Sequence, residues 1–188
     1  MMKTSMIMPL AGGLLVAAVV ATAGALAQNT DNAANKAAES PAPPSGNASK
    51  PASPIYGVTI PDGYRQWELV APALEHEPLN ELRTVLGNKT ALDAYRAGTL
   101  PFPDGTVLVK LAWKYVQSPE FESALVPGQA TTVQVMVKDS KKYSATGGWG
   151  FGRFVDGKPV DEAQHETCFA CHEARVKARD YVFTKLAP

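Results

Sequence analysis

The residues of this chain best placed to do chemistry are Cys168-Phe169-Ala170-Cys171-His172. Cys168 and Cys171 are the only two cysteines in 188 residues, and an imidazole follows the second immediately. C-x-x-C-H is the spacing at which two thiols add to the vinyl groups of a haem and the adjacent histidine becomes the proximal iron ligand. On a helix the three residues fall at i, i+3 and i+4 and share one face. Three other readings fit less well. A structural zinc site needs four ligands, and His172 is too close to Cys171 to bind easily beside it. A thioredoxin-like dithiol calls for a βαβ setting and not for the following histidine. A disulfide across two residues would close a loop too short to stabilise much. The motif therefore points to one covalently attached haem c, with His172 as the metal ligand.

What occupies the sixth position on the iron decides between electron transfer and ligand chemistry. Outside the first eight residues Met136 is the only methionine, and the other histidines are His76 and His165. Met136 lies mid-strand and reads as a packing residue. His165 belongs to the same helix as the proximal ligand and cannot easily reach the far side of the ring. His76 sits in the polar run Glu75-His76-Glu77 and reads as a solvated surface residue. The sequence thus favours five-coordinate iron with an open distal side.

Several elements must position this motif. Trp67–Ala71 and Leu82–Leu86 predict strands. Thr90 with Asp93 three residues later predicts a helix start, and Gly98 with Pro101 beyond predicts its end. Thr106–Val116 is the clearest strand. Val107, Val109, Leu111, Trp113 and Tyr115 alternate onto a core face, with Leu108, Lys110, Ala112 and Lys114 opposite. Val133, Val135 and Val137 repeat the alternation. Across 147–155, Gly148, Gly150 and Gly152 alternate with Trp149, Phe151 and Arg153. Such a strand is either met closely by something flat or bulky on its glycine face, or is a twisted edge. Asp161–Ala174 predicts the helix that carries the cysteines, and Tyr181–Leu186 predicts a final strand. The expected class is α+β: one antiparallel, sheet-rich domain with the haem-attachment helix near the C-terminus.

Charge excludes some partners. Lys+Arg 18 balance Asp+Glu 18, which leaves no electrostatic footprint for nucleic acid or an anionic membrane. Residues 1–27 read as a signal peptide. Lys3 precedes an apolar run from Leu10 to Leu26, and Ala25-Leu26-Ala27 supplies a small-x-small cleavage pattern before Gln28. The alternative is a membrane anchor, for which the run is short and diluted by Gly and Ala. The expectation is therefore an exported protein with no stable membrane insertion after cleavage. Residues 28–54, rich in Ala, Pro and Ser, read as a disordered linker. The haem domain is expected over 55–188.

The chain resembles the cytochrome P-460 family of periplasmic mono-haem c cytochromes across 55–188. The resemblance rests on Tyr64-Arg65-Gln66-Trp67 and on Phe102-Pro103-Asp104-Gly105-Thr106 running through Lys110. It rests also on Gly148-Trp149-Gly150-Phe151-Gly152-Arg153-Phe154, and on the C-x-x-C-H motif followed by Asp180-Tyr181-Val182-Phe183-Thr184. It implies a sheet-rich fold and a five-coordinate haem. It further implies oxidation of hydroxylamine, with nitric oxide as co-substrate or product, electrons passing to a partner cytochrome, and a covalent bond between a lysine and the haem macrocycle. Lys110 occupies that lysine's position. Read from the strand alone, Lys110 is either a solvated lysine like Lys114 or a side chain that meets a ring lying on its face. An acidic residue often follows this lysine in related sequences, and here Leu111 does. Glu162 and His165 are then the candidate distal acid or base, and Phe102 and Phe154 the candidate pocket aromatics. The sister β-type cytochromes c′ lack the crosslink and bind nitric oxide or carbon monoxide without turnover, so an enzyme and a gas-binding protein are both compatible with the fold. So is an electron carrier with Met136 as sixth ligand. A homodimer also remains open.

Overall fold

Alternating apolar side chains drive strands, and the strands here pair in chain order. The computed structural model describes residues 49–188, so the segment read as a signal peptide and most of the linker lie outside the described residues. Six strands form one antiparallel sheet in the order β1 (Glu68–Glu75), β2 (Glu81–Gly87), β3 (Val107–Gln117), β4 (Leu125–Lys138), β5 (Trp149–Val155) and β6 (Lys158–Pro159). Two helices accompany it, α1 (Lys89–Ala97) between β2 and β3, and α2 (Glu162–Val176) after β6. The α+β class expected from the sequence is the observed one.

Strand β1 is an edge, which accommodates Pro72 and a register irregularity between Leu69 and Ala71. The centre of β3 is covered on both faces. Val109 and Leu111 of the expected core face are buried, but so are Leu108 and Ala112 opposite them. Strand β4 is longer than the Val133–Val137 run suggests, because it pairs with β3 as far as Gln117↔Leu125. Beyond the ends of β2 and β5 those two strands continue as a ribbon.

Of the two readings of the glycine alternation, the structure shows the first: Gly150 and Gly152 of β5 are met closely. The ring of Tyr143 lies against Gly150, and a Cβ there would sit 2.6 Å from its Cε2. Val58 and Phe154 take the same role at Gly152. Gly148, with φ +84°, belongs to the turn before β5. The folded unit begins inside the segment read as linker: Ala52 bridges Thr59, and buried Ser53 donates its hydroxyl hydrogen to the Phe151 carbonyl at 2.9 Å.

Two local expectations are corrected. The N-cap of α1 is Asn88, not Thr90, and Asp93 pairs with Lys89 at 2.6 Å instead of closing a capping box. Asn88 Oδ1 accepts from both Ala91 N (3.0 Å) and Val107 N (3.1 Å), and Nδ2 donates to the Gly105 carbonyl at 2.8 Å. It therefore ties α1 to the start of β3. Replacing Asn88 with Ala is expected to lower stability by about 2 kcal/mol, the upper end for a lost cap, as a fall in the urea midpoint at unchanged slope. The second correction concerns Tyr181–Leu186, which is extended but pairs with no strand. Side chains hold its carbonyls instead: Arg179 donates to Phe183 O and Thr184 O, and the Tyr95 hydroxyl donates to Thr184 O at 3.0 Å.

Candidate functional site

Helix α2 starts where Asp161 accepts the Gln164 amide at 2.9 Å, and Glu162 in its first turn complements the positive end of the helix dipole. This start puts Cys168, Cys171 and His172 on one helix face, and all three line a cavity of about 480 Å³. Strands β1 to β5 form the cavity's sheet side, and Val182 and Phe183 of the C-terminal tail close another side.

His172 is fixed from behind. Its Nδ1 lies 2.7 Å from the Tyr181 carbonyl oxygen, which can only accept, so Nδ1 carries the hydrogen and Nε2 keeps a free lone pair. Phe151 and Phe183 flank the imidazole, with ring centroids at 5.0 and 4.9 Å. Burial pulls the imidazole below its ordinary pKa, the bond to Tyr181 opposes this, and the charge of Lys110 adds to it. The ring is thus held neutral, the state in which a histidine ligates a metal. Both cysteines are free, and burial pushes the Cys168 thiol above its ordinary value. A catalytic dithiol needs the opposite shift, which weighs against the thioredoxin-like reading. Among the described residues no three His, Cys, Asp or Glu side chains cluster in metal-holding geometry.

The ladder register decides what faces α2. Lys110 pairs with Val85 on one side and Gln134 on the other, and Gln134 pairs with Arg153. Cross-strand partners point to the same face. Lys110 therefore belongs to the cavity wall, and its Nζ donates to Glu75 Oε2 at 2.9 Å. Glu75 Oε1 also lies 2.8 Å from Arg83 Nε, an ion pair in which the N–H is not directed at the oxygen. Lys110 and Glu75 are about three-quarters buried, with 21% and 24% of their side chains exposed.

Other predicted residues lie elsewhere. Glu162 is exposed in the first turn of α2 and does not line the cavity. His165 is fully buried, and both nitrogens are used. Nδ1 donates to the Asp161 carbonyl at 2.8 Å, and Nε2 accepts from Arg153 N at 3.0 Å. It pins α2 to β5, and both ring nitrogens are engaged by backbone. Phe102 is buried between Tyr95 and Trp149, and Phe154 packs at Gly152. Neither lines the cavity, where Phe151 and Phe183 stand instead. His76 is exposed in the turn after β1. Met136 does line the cavity, on the strand face beside Leu108.

Glu75, Arg83 and Gln134 were not singled out by sequence reasoning. An arginine inside the apolar run Leu82–Leu86 was a signal for Arg83. Glu75 gave none, because its partner strand depends on the length of the turn over residues 76–80.

The residues present fit a haem. Two thiols and a neutral imidazole with a free lone pair share one wall, and aromatic and aliphatic side chains line the rest. Arg83, Lys110, Arg153 and Arg175 give the lining positive charge against Glu75 alone. The Nε atoms of Arg83 and Arg153 are buried without a hydrogen-bond acceptor, a demand that a ligand bearing two carboxylates meets. No curated protein matches the chain. The family model for Cytochrome P460 matches residues 61–184, from the segment before β1 to the tail that closes the cavity. That span contains Cys168, Cys171, His172 and Lys110 and covers most of the chain, and the chain belongs to the cytochrome P460 family.

Proposed function

We propose that this haem cytochrome carries one haem c, joined through Cys168 and Cys171, with His172 on one side of the iron and the other side open. In this reading it oxidises hydroxylamine or a related small nitrogen compound in the periplasm, after cleavage of its leader, and passes the electrons to a partner cytochrome. The observation that supports it is the meeting in one cavity of Cys168, Cys171 and His172 from α2 with the paired Lys110 and Glu75 from the sheet. A bound haem supplies an iron that takes a small ligand and accepts its electrons.

The chain's own residues supply the rest. Lys110 Nζ donates to Glu75 Oε2 at 2.9 Å, and only the neutral amine is a nucleophile. Glu75 Oε2 is the nearest base to Lys110 Nζ and takes its proton. With a haem bound, Lys110 Nζ would be the nitrogen placed to join a macrocycle carbon, one N–H and one C–H giving way to a C–N bond with loss of two electrons to a peroxide-class oxidant. In turnover Glu75 is the carboxylate placed to take protons from a small substrate, the role that exposed Glu162 cannot fill.

The test is turnover of hydroxylamine by purified holoprotein with an artificial electron acceptor. The wild type is expected to turn over, and Glu75→Gln is expected to lower kcat about 100-fold, the usual scale for a lost general base, with covalent haem retained. A wild-type holoprotein inactive with every acceptor would instead support a nitric oxide-binding protein. Met136 in the cavity wall supports the electron-carrier reading, which requires that the reduced protein fail to bind carbon monoxide.

A further inference from the structure

Lys138 and Asp180 form an ion pair with only 5% and 9% of their side chains exposed. Lys138 Nζ donates to Asp180 Oδ1 at 2.8 Å, to Oδ2 at 2.9 Å and to the Gly147 carbonyl at 3.0 Å, and it lies 5.1 Å from the centre of the Trp149 ring. Asp180 Oδ2 accepts from Phe102 N at 2.8 Å. A buried ion pair is a costly way to hold a tail, since packed apolar side chains of similar size do so at least as well. This one holds a direction. Asp180 and Tyr181 both adopt left-handed backbone, at φ +50° and +63°, which is unfavourable for residues with a Cβ. Two consecutive such residues turn the chain so that the Tyr181 carbonyl faces His172 Nδ1 at 2.7 Å. The Tyr181 amide is tied to Val176 O at 3.0 Å, and its ring fills the space a Cβ on Gly147 would need.

We propose that the Lys138–Asp180 pair is a positioning device for His172: it fixes the strained Asp180–Tyr181 backbone, keeps the Tyr181 carbonyl on Nδ1–H, and thereby sets how strongly the imidazole donates to a bound iron. The inference rests on His172 as the proximal ligand. A strong Nδ1–H···O bond gives the ring imidazolate character, which strengthens its bond to iron and favours the oxidised metal. Lys138 and Asp180 touch neither ligand nor cavity and act only through Tyr181.

The test is resonance Raman spectroscopy of the reduced holoprotein, read at the iron–histidine stretch, together with its reduction potential. Lys138→Met/Asp180→Asn removes both charges and nearly keeps both shapes. It is expected to move the stretch to lower frequency and to raise the potential. Asp180→Asn alone, which keeps one oxygen acceptor, is expected to shift both in the same direction by less. Val109→Ala, in the core away from the cavity, is the control and is expected to lower stability with neither shift. Folded clamp variants with wild-type stretch and potential would overturn the proposal, as would an equal shift in Val109→Ala. A wild-type holoprotein with no iron–histidine stretch would overturn the assignment of His172 itself, and the clamp with it.

Discussion

Cys168→Ala/Cys171→Ala, expressed with a haem-attachment system, is expected to retain no haem after denaturation and acid–acetone extraction. In the proposed attachment each thioether would use one of these sulfurs, and the chain has no other cysteine to substitute. Each single variant retains one attachment point and is expected to hold part of its haem covalently. The fold should survive, because Cys171 is exposed and Cys168 only half-buried. Removing two such thiols is expected to cost about 1 kcal/mol or less in the haem-free protein. Loss of haem and loss of fold are thus separable, by far-ultraviolet circular dichroism on the same sample. Haem that resists extraction in the double variant would place the attachment elsewhere, and with it the whole cavity reading.

Gly150→Ala is expected to be among the most destabilising single-methyl additions in the chain, by about 3 kcal/mol for overpacking against a ring that has nowhere to go. The new Cβ would lie 2.6 and 2.7 Å from Cε2 and Cε1 of Tyr143. Tyr143 is held on several sides. Its hydroxyl donates to Tyr56 O at 3.1 Å, its amide donates to Asp139 O at 2.9 Å, and Tyr56 meets its ring edge-on at 6.3 Å. Retreat of the ring would therefore break its hydrogen bond to Tyr56 O. The measurement is urea unfolding followed by circular dichroism, where the midpoint should fall at unchanged slope. A change under about 0.5 kcal/mol, the range of an ordinary surface substitution, would mean the ring yields.

The glycine alternation of β5 shows how far the sequence could be read. Alternation left open a close approach by something flat or a twisted edge, and only the structure shows the approach and that it is made by Tyr143. The cavity lies on the other side, with Phe151 and Arg153. The C-x-x-C-H motif was legible because its chemistry is local: three residues within five positions on one helical face. Lys110 was legible as to face, since strand periodicity separates it from the Val109 row. Its partner was not. Glu75 reaches Lys110 across β2, and that contact depends on two hairpin registers that no periodicity specifies. His165 misled for a related reason. A histidine one turn before a haem motif resembles an acid–base group until its two nitrogens are traced to Asp161 O and Arg153 N. The tail over 181–186 has strand composition, yet it forms no ladder: the Ala187 amide beyond it donates to Val70 O of edge strand β1, and Arg179 and Tyr95 satisfy the tail's carbonyls. Asn88 won the cap from Thr90 because it serves two amides at once, Ala91 and Val107.

The buried acid of the site is paired with a base that a reactive role requires to be neutral. In the proposed function Lys110 and Glu75 carry the distinction between an enzyme of small nitrogen compounds and a protein that only binds a gas, and the spectrum of the haem would report on Lys110 directly. The decisive measurement is the absorption spectrum of the dithionite-reduced holoprotein, recorded for the wild type and for Lys110→Ala. A strongly red-shifted Soret band in the wild type that disappears in the variant is the expected result, and it would establish the bond between Lys110 and the haem. An ordinary high-spin ferrous c-type spectrum, the same in both proteins, would contradict it and leave Lys110 as no more than the partner of Glu75.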